Sequence, residues 1–184
     1  MNIVAISGSL RATSINSAFC RAAAQLAPSS LRISVFRELA ELPLFNPDLE
    51  ASLPSPVLSL RAAVAAADAL IIASPEYAHG ISGVMKNALD WLVSFEGTVG
   101  KPIALINTSP RAHHAYDALR EVLQTMSASI IDGASVSLPL LGLCATEEEM
   151  LAHPEMRRAI GGMLEALAAH FRGSGRSGPS FPLT

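Results

Sequence analysis

The fold class predicted by the sequence is an α/β domain with a doubly wound, mostly parallel sheet, and three observations point to it. Short apolar runs such as Ile3-Val4-Ala5-Ile6 and Ala69-Leu70-Ile71-Ile72-Ala73 show no polar alternation, as expected of strands buried on both faces. Segments of helical period lie between these runs. The residues best suited to ligand chemistry fall just after them, where open α/β sheets bind ligands.

The chain has 184 residues, enough for one domain with a sizeable core. Half of them are hydrophobic and only 16% are charged, with a mean hydropathy of +0.37. That balance implies a well-filled interior or surface covered in an oligomer. No apolar run approaches the roughly 20 residues that cross a bilayer. The chain opens directly on a strand, so no signal peptide is expected and the cytoplasm is the default location. A net charge of −3 without a basic cluster gives nucleic acid no electrostatic footing.

In chain order, strand one is expected over Asn2 to Ser7, helix one over Ile15 to Leu26 and strand two over Leu31 to Phe36. Four prolines between 38 and 56 make that stretch a long connection. Helix two is expected over Val57 to Ala67, and strand three is Ala69 to Ala73. Strand four spans Pro102 to Asn107, helix four Ala112 to Met126, and strand five centres on Ser129 to Ala134. Thr146 with Glu149 has capping-box spacing for a short turn, and the last helix runs over Pro154 to Phe171. The domain is thus expected over 1–172, with a Gly, Ser and Pro-rich tail at 173–184. Five strands wound this way give the flavodoxin-like order 2-1-3-4-5, whose ligand site lies at the carboxyl ends of strands one and three.

The loop after strand one, Gly8-Ser9-Leu10-Arg11-Ala12-Thr13-Ser14-Ile15-Asn16, has the composition of an anion site. The first turn of a helix leaves backbone N–H groups without intrahelical partners, and its dipole adds partial positive charge. Ser9, Thr13, Ser14 and Asn16 bring neutral donors, and Arg11 brings a planar cation matched to phosphate oxygens. Ser14 or Thr13 also suits a simple N-cap. The loop has neither a Walker lysine nor a G-x-G-x-x-G run, which favours a monophosphate over a triphosphate or a dinucleotide pyrophosphate.

The loop after strand three reads Ser74-Pro75-Glu76-Tyr77-Ala78-His79-Gly80. Pro75 fixes its own φ and shapes the turn, while Tyr77 and His79 project planar groups at the expected ligand edge. Lys86, Asn87, Asp90 and Trp91 are expected on a following helix as residues that hold the loop in place. Cys20 and Cys144 lack a C-x-x-C pattern, and Cys20 is expected to be a small core residue. The five histidines lack metal-ligand spacing, and His113 and His114 are expected to point apart on a helix, so no metal is expected.

Gly8-Ser9-x-Arg11-x-x-Ser14-x-Asn16, Ser74-Pro75-Glu76-Tyr77 and Gly83-x-x-Lys86-Asn87-Ala88-Leu89-Asp90-Trp91 together resemble the NADPH-dependent FMN reductase family. The family comprises flavodoxin-like quinone, azo-dye and metal-oxyanion reductases. The resemblance implies FMN as cofactor and NADPH or NADH as reductant. Hydride then passes from the nicotinamide to FMN and on to a quinone, azo, metal-oxyanion or flavin acceptor. It further implies that Ser9, Arg11, Ser14, the Ile15 backbone and Asn16 hold the FMN phosphate. Pro75, Glu76, Tyr77, Ala78 and His79 would border the ring, with Ser109 and Arg111 as further contacts after strand four. His79 or Tyr77 is expected on the acceptor side. The flavin carries the chemistry, so no acid, base or nucleophile is assigned.

The chain departs from the family in two places. Ala78-His79-Gly80 stands where many members have Asn-x-Ser, and Thr108-Ser109-Pro110-Arg111 replaces a glycine-rich turn. The resemblance also implies a homodimer or homotetramer, in keeping with the low charge. Two other classes remain: a flavodoxin-like electron carrier, which usually bears a strongly acidic docking face, and a flavin-free binding module on the same fold.

Overall fold

A computed structural model describes residues 1–109, 113–138 and 144–174 of the chain. Its sheet is built on β1 (Asn2–Ser7), β2 (Arg32–Phe36), β3 (Ala69–Ala73) and, further along, β6 (Pro102–Asn107), all parallel. A hairpin of β4 (Glu76–Tyr77) and β5 (Gly80–Ile81) stands apart from this sheet. Two short strands, β7 (Ser129–Ile130) and β8 (Val136–Ser137), both pair with β6, so the order is β2-β1-β3-β6-β7 with β8 beside β6.

The expected order is therefore present, but the fifth strand is broken in two. Asp132–Ala134 forms a 3-10 turn between the pieces. The Ser135 hydroxyl accepts from the Leu105 N–H at 3.0 Å and donates to the Ile131 carbonyl at 2.9 Å. A side chain thus occupies the ladder position that backbone would have filled, as at a bulge.

Strict alternation along the central strands divides the core. Ile3, Ala5, Ile71, Ala73, Ala104 and Ile106 face one layer, and Val4, Ile6, Leu70, Ile72, Ile103 and Leu105 face the other. The first layer is covered by α1 (Ile15–Leu26), α5 (Glu147–Ala152) and α6 (Pro154–Ser174). The second is covered by α2 (Ser55–Ala66), α3 (Gly83–Asp90) and α4 (His113–Thr125). Burial on both faces is the physical reason these strands read as unbroken apolar runs. Cys20 lies in the first layer, fully buried.

The Thr146 and Glu149 capping box is present at α5. α6 continues to Ser174, past the expected end at Phe171, and from 175 onward the expected tail lies outside the described residues. No helix among the described residues is long and apolar enough to cross a membrane.

The 38–56 connection is pinned from α3 and from Trp91, which caps that helix. The Trp91 indole N–H and the Asn87 amide both donate to the Pro43 carbonyl, at 2.8 and 2.9 Å. Asn87 Oδ1 accepts from the Phe45 N–H at 2.8 Å, and the Phe45 ring meets Trp91 edge-on at 5.0 Å. Lys86 pairs with Asp90 one turn on. Asn87 and Trp91 thus hold the 38–56 connection, not the loop after β3 as expected, and Lys86 and Asp90 pair only with each other among the described residues.

Candidate functional site

The carboxyl ends of β1, β3 and β6 surround a cavity of about 480 Å³, within the usual range of small-molecule sites. Ser9, Arg11, Thr13, Ser14, Ile15 and Asn16 form one wall. Ser74, Pro75, Glu76 and Tyr77 form a second, and Asn107, Thr108 and Ser109 a third, with Ala145 at the rim.

The first wall is a helix start with spare donors. Ser14 is the N-cap of α1, its oxygen accepting from the Ser17 N–H at 3.3 Å, so its hydroxyl proton remains to be donated. The N–H groups of Ile15 and Asn16 are first-turn donors with no helical acceptor. Asn16 is buried, and its Oδ1 accepts from the Thr108 hydroxyl at 3.0 Å, a bond that leaves the amide NH₂ unused. The Ser9 hydroxyl accepts from the Arg11 N–H at 3.4 Å and shapes the loop. The exposed Arg11 guanidinium has no hydrogen-bond or ion-pair partner among the described residues. Backbone donors, one cation and an amide thus share one wall of the cavity with no acceptor of their own among the described residues, as an oxyanion site requires.

The second wall is held against the first at Gly8. Its N–H donates to the Ala73 carbonyl at 2.8 Å, and its carbonyl accepts from the buried Ser82 hydroxyl at 2.6 Å. A Cβ at position 8 would lie 2.6 Å from Ser74 Oγ, 2.9 Å from Ser82 Oγ and 3.0 Å from Met85 Cβ. Glycine is required there by close approach. Ser82 is also the N-cap of α3, so one hydroxyl ties the helix start to the loop opposite.

Beyond Pro75 the chain makes a two-residue hairpin whose tip, Ala78 and His79, has φ of +49° and +58°. Both central residues of such a turn need the left-handed region, where asparagine and glycine are usual. The tip lies outside the lining of the cavity. There His79 stacks on His114 with ring centroids 4.4 Å apart, and His114 lies 3.9 Å from His113. This corrects the expectation that the neighbouring histidines point apart, because the hairpin tip supplies a third ring for them to pack on. The Glu76 carboxylate accepts from the Ala115 N–H at 2.9 Å, where α4 begins. That contact satisfies a first-turn donor and places negative charge at the positive end of the helix.

Of the residues expected at the site, Ser9, Arg11, Ser14, Ile15, Asn16, Pro75, Glu76, Tyr77 and Ser109 line the cavity. Ala78 and His79 sit at the hairpin tip, and Arg111 lies outside the described residues. Thr13, named among the loop's donors, also lines the cavity, and Ser74, Asn107, Thr108 and Ala145 complete the lining without having been assigned. Asn107 and Thr108 could have been found from their place at the end of a strand, whereas nothing in the sequence marks Ala145.

Residues 1–141 match the profile of the NADPH-dependent FMN reductase family, which covers all three walls described above except Ala145. The chain belongs to that family. Among relatives, a quinone reductase of Escherichia coli (strain K12) is 34% identical over 113 residues, 59% of this chain and 60% of that protein. A quinone reductase of Pseudomonas putida (strain KT2440) is 35% identical over 129 residues, 68% of this chain and 69% of that one. The chain thus spans 60% of the length of the Escherichia coli relative. A flavoenzyme NAD(P)H:(acceptor) oxidoreductase of Paracoccus denitrificans has a similar structure, with a TM-score of 0.73 at 26% identity, covering 92% of this chain and 98% of that one. This FMN reductase family fold accounts for the strand order and for the place of the cavity at the β1 and β3 ends.

Proposed function

We propose that the chain binds FMN in the cavity at the ends of β1, β3 and β6 and acts as an NAD(P)H-dependent quinone reductase. The observation that carries this reading is the convergence of donors at the start of α1 on a cavity whose other wall is the Pro75 to Tyr77 segment. Those donors fit a phosphate dianion: Arg11 by charge, Ser9, Ser14 and Asn16 by side-chain donors, and Ile15 and Asn16 by backbone N–H groups. The family and the names of its quinone-reducing relatives support the same assignment.

When bound, FMN supplies two-electron hydride chemistry that no side chain can provide. The chain's own residues bind and orient. The Ser9 to Asn16 wall fixes the phosphate end, and Pro75, Glu76 and Tyr77 form the wall along which the planar ring would lie. Pro75 offers no N–H of its own, so its contribution is shape. Tyr77, half exposed, stands at the mouth where an acceptor would enter. The low fraction of charged residues supports assembly into a homo-oligomer.

The test is a visible spectrum of the purified chain with FMN, before and after anaerobic NADPH. Bound yellow flavin that NADPH bleaches and a quinone recolours is the expected result. Protein that leaves FMN free overturns the reading, and bound flavin that neither NADPH nor NADH bleaches makes the chain an electron carrier. A charge-assisted contact is worth about 1.5–3 kcal/mol. Arg11→Ala should therefore weaken FMN by roughly 10- to 150-fold in the same titration.

A further inference from the structure

A second cavity, of about 200 Å³, lies on the far side of the β1–α1 loop, at the carboxyl end of β2. Its polar lining is Arg21, Arg37 and the hydroxyls of Ser7, Ser9 and Ser17; its apolar lining includes Leu10, Val35 and Phe36. No carboxylate among the described residues lines it. Arg21 is bound to Glu147 at 2.6 Å, so its charge is already matched. Arg37 is exposed and has no hydrogen-bond or ion-pair partner among the described residues, leaving the cavity with one unmatched positive charge. Ser7 Oγ and Ser17 Oγ are 2.8 Å apart; one hydroxyl donates to the other, so one proton of the pair is left for a ligand.

Two shared linings place this cavity beside the first. Ser9 lines both. An open groove that includes Leu10, Arg11 and Tyr77 shares Leu10 with the second cavity, and Arg11 and Tyr77 with the first. The ends of β3 and β2 are separated by β1 alone, two strand spacings or about 10 Å, a distance an extended dinucleotide spans.

Resting on the reading that a reduced nicotinamide nucleotide is the hydride donor, we infer that this cavity receives the phosphorylated ribose at the adenosine end of NADPH. Arg37 holds the 2′-phosphate, Arg21 and the paired serines add neutral or matched donors, and Phe36 and Leu10 offer apolar surface to the nucleoside. The nicotinamide end then lies along the groove toward Tyr77. Arg37 is a specificity residue: it distinguishes NADPH from NADH by the one group in which they differ.

The experiment titrates 2′-AMP and 5′-AMP into the FMN-loaded protein by calorimetry, with wild type, Arg37→Ala and Arg37→Lys side by side. The expected result is that 2′-AMP binds more tightly than 5′-AMP, that Arg37→Ala weakens 2′-AMP by about tenfold or more, and that Arg37→Lys restores part of the loss. In steady-state assays Arg37→Ala should shift the NADPH-to-NADH preference by a similar factor through KM rather than kcat. Equal binding of the two nucleotides, or equal loss toward NADPH and NADH, overturns the inference. FMN affinity, read from the flavin spectrum of the same samples, reports on the cofactor cradle separately. Failure of the wild type to bind FMN would therefore count against the flavin reading, and failure of the FMN-loaded wild type to prefer 2′-AMP over 5′-AMP against this one.

Discussion

Replacing Gly8 with alanine would press a methyl carbon against Ser74 Oγ, Ser82 Oγ and Met85 Cβ, all within 3.0 Å of where it must sit. The two hydroxyls cannot retreat freely, because Ser82 also donates to the Gly8 carbonyl and caps α3. Overpacking of this kind costs about 1–3 kcal/mol. Gly8→Ala should lower the denaturation midpoint by that equivalent and weaken FMN as the walls move apart; wild-type stability and affinity would show that the contact yields. The Ser9 to Asn16 wall of the cavity was legible in the sequence because its signal is local: a strand, a run of hydroxyls with one arginine, and a helix start. The need for glycine at position 8 was not, since the atoms it avoids lie about seventy residues away.

The β4–β5 hairpin shows what element-scale reading misses. Two residues of high left-handed cost occupy its tip, where each L-residue is disfavoured by about 1–2 kcal/mol. The strain is opposed by the stacked ring of His114 and by the Glu76 contact to α4. Ala78→Gly should therefore stabilise the protein by about 1 kcal/mol in chemical denaturation, and a loss of stability would show that the tip is not strained. Sequence pattern gave no hairpin here because Ala-His is not a turn dipeptide. It is the contacts of the arms, not the propensity of the tip, that make the turn. Strand five failed for a related reason: Ser135 offers the neighbouring strand a hydroxyl in place of a backbone carbonyl. By contrast the three central strands, buried on both faces, were readable almost to the residue.

At the scale of the whole molecule, the first core layer closes off both cysteines. Burial pushes the Cys20 thiol up to about 12, against a slight opposing pull from the neighbouring Arg21 charge, and raises that of Cys144 as well. A thiol that stays protonated in the fold but ionises near 9 once unfolded gives the unfolded chain fewer bound protons at high pH. Stability from Cys20 is thus complete below pH 9 and is lost as pH rises toward 12. Native protein at neutral pH should resist iodoacetamide at Cys20, with labelling appearing only as the fold opens in denaturant. Rapid labelling without denaturant would mean that the α1 and α6 layer opens on its own.

The clasp between Gly8 and Ser82 has a consequence for which flavins the protein can tell apart. Under the proposed FMN reading it sets the gap between the wall that would meet an anionic tail and the wall that would meet a flat head, so the cavity would behave as a caliper rather than a clamp. Riboflavin, short of its terminal phosphate, reaches only one jaw; a flavin with a lengthened tail overshoots the other. Selectivity among such analogues is then a matter of span, set by a single buried hydroxyl that need never touch the ligand.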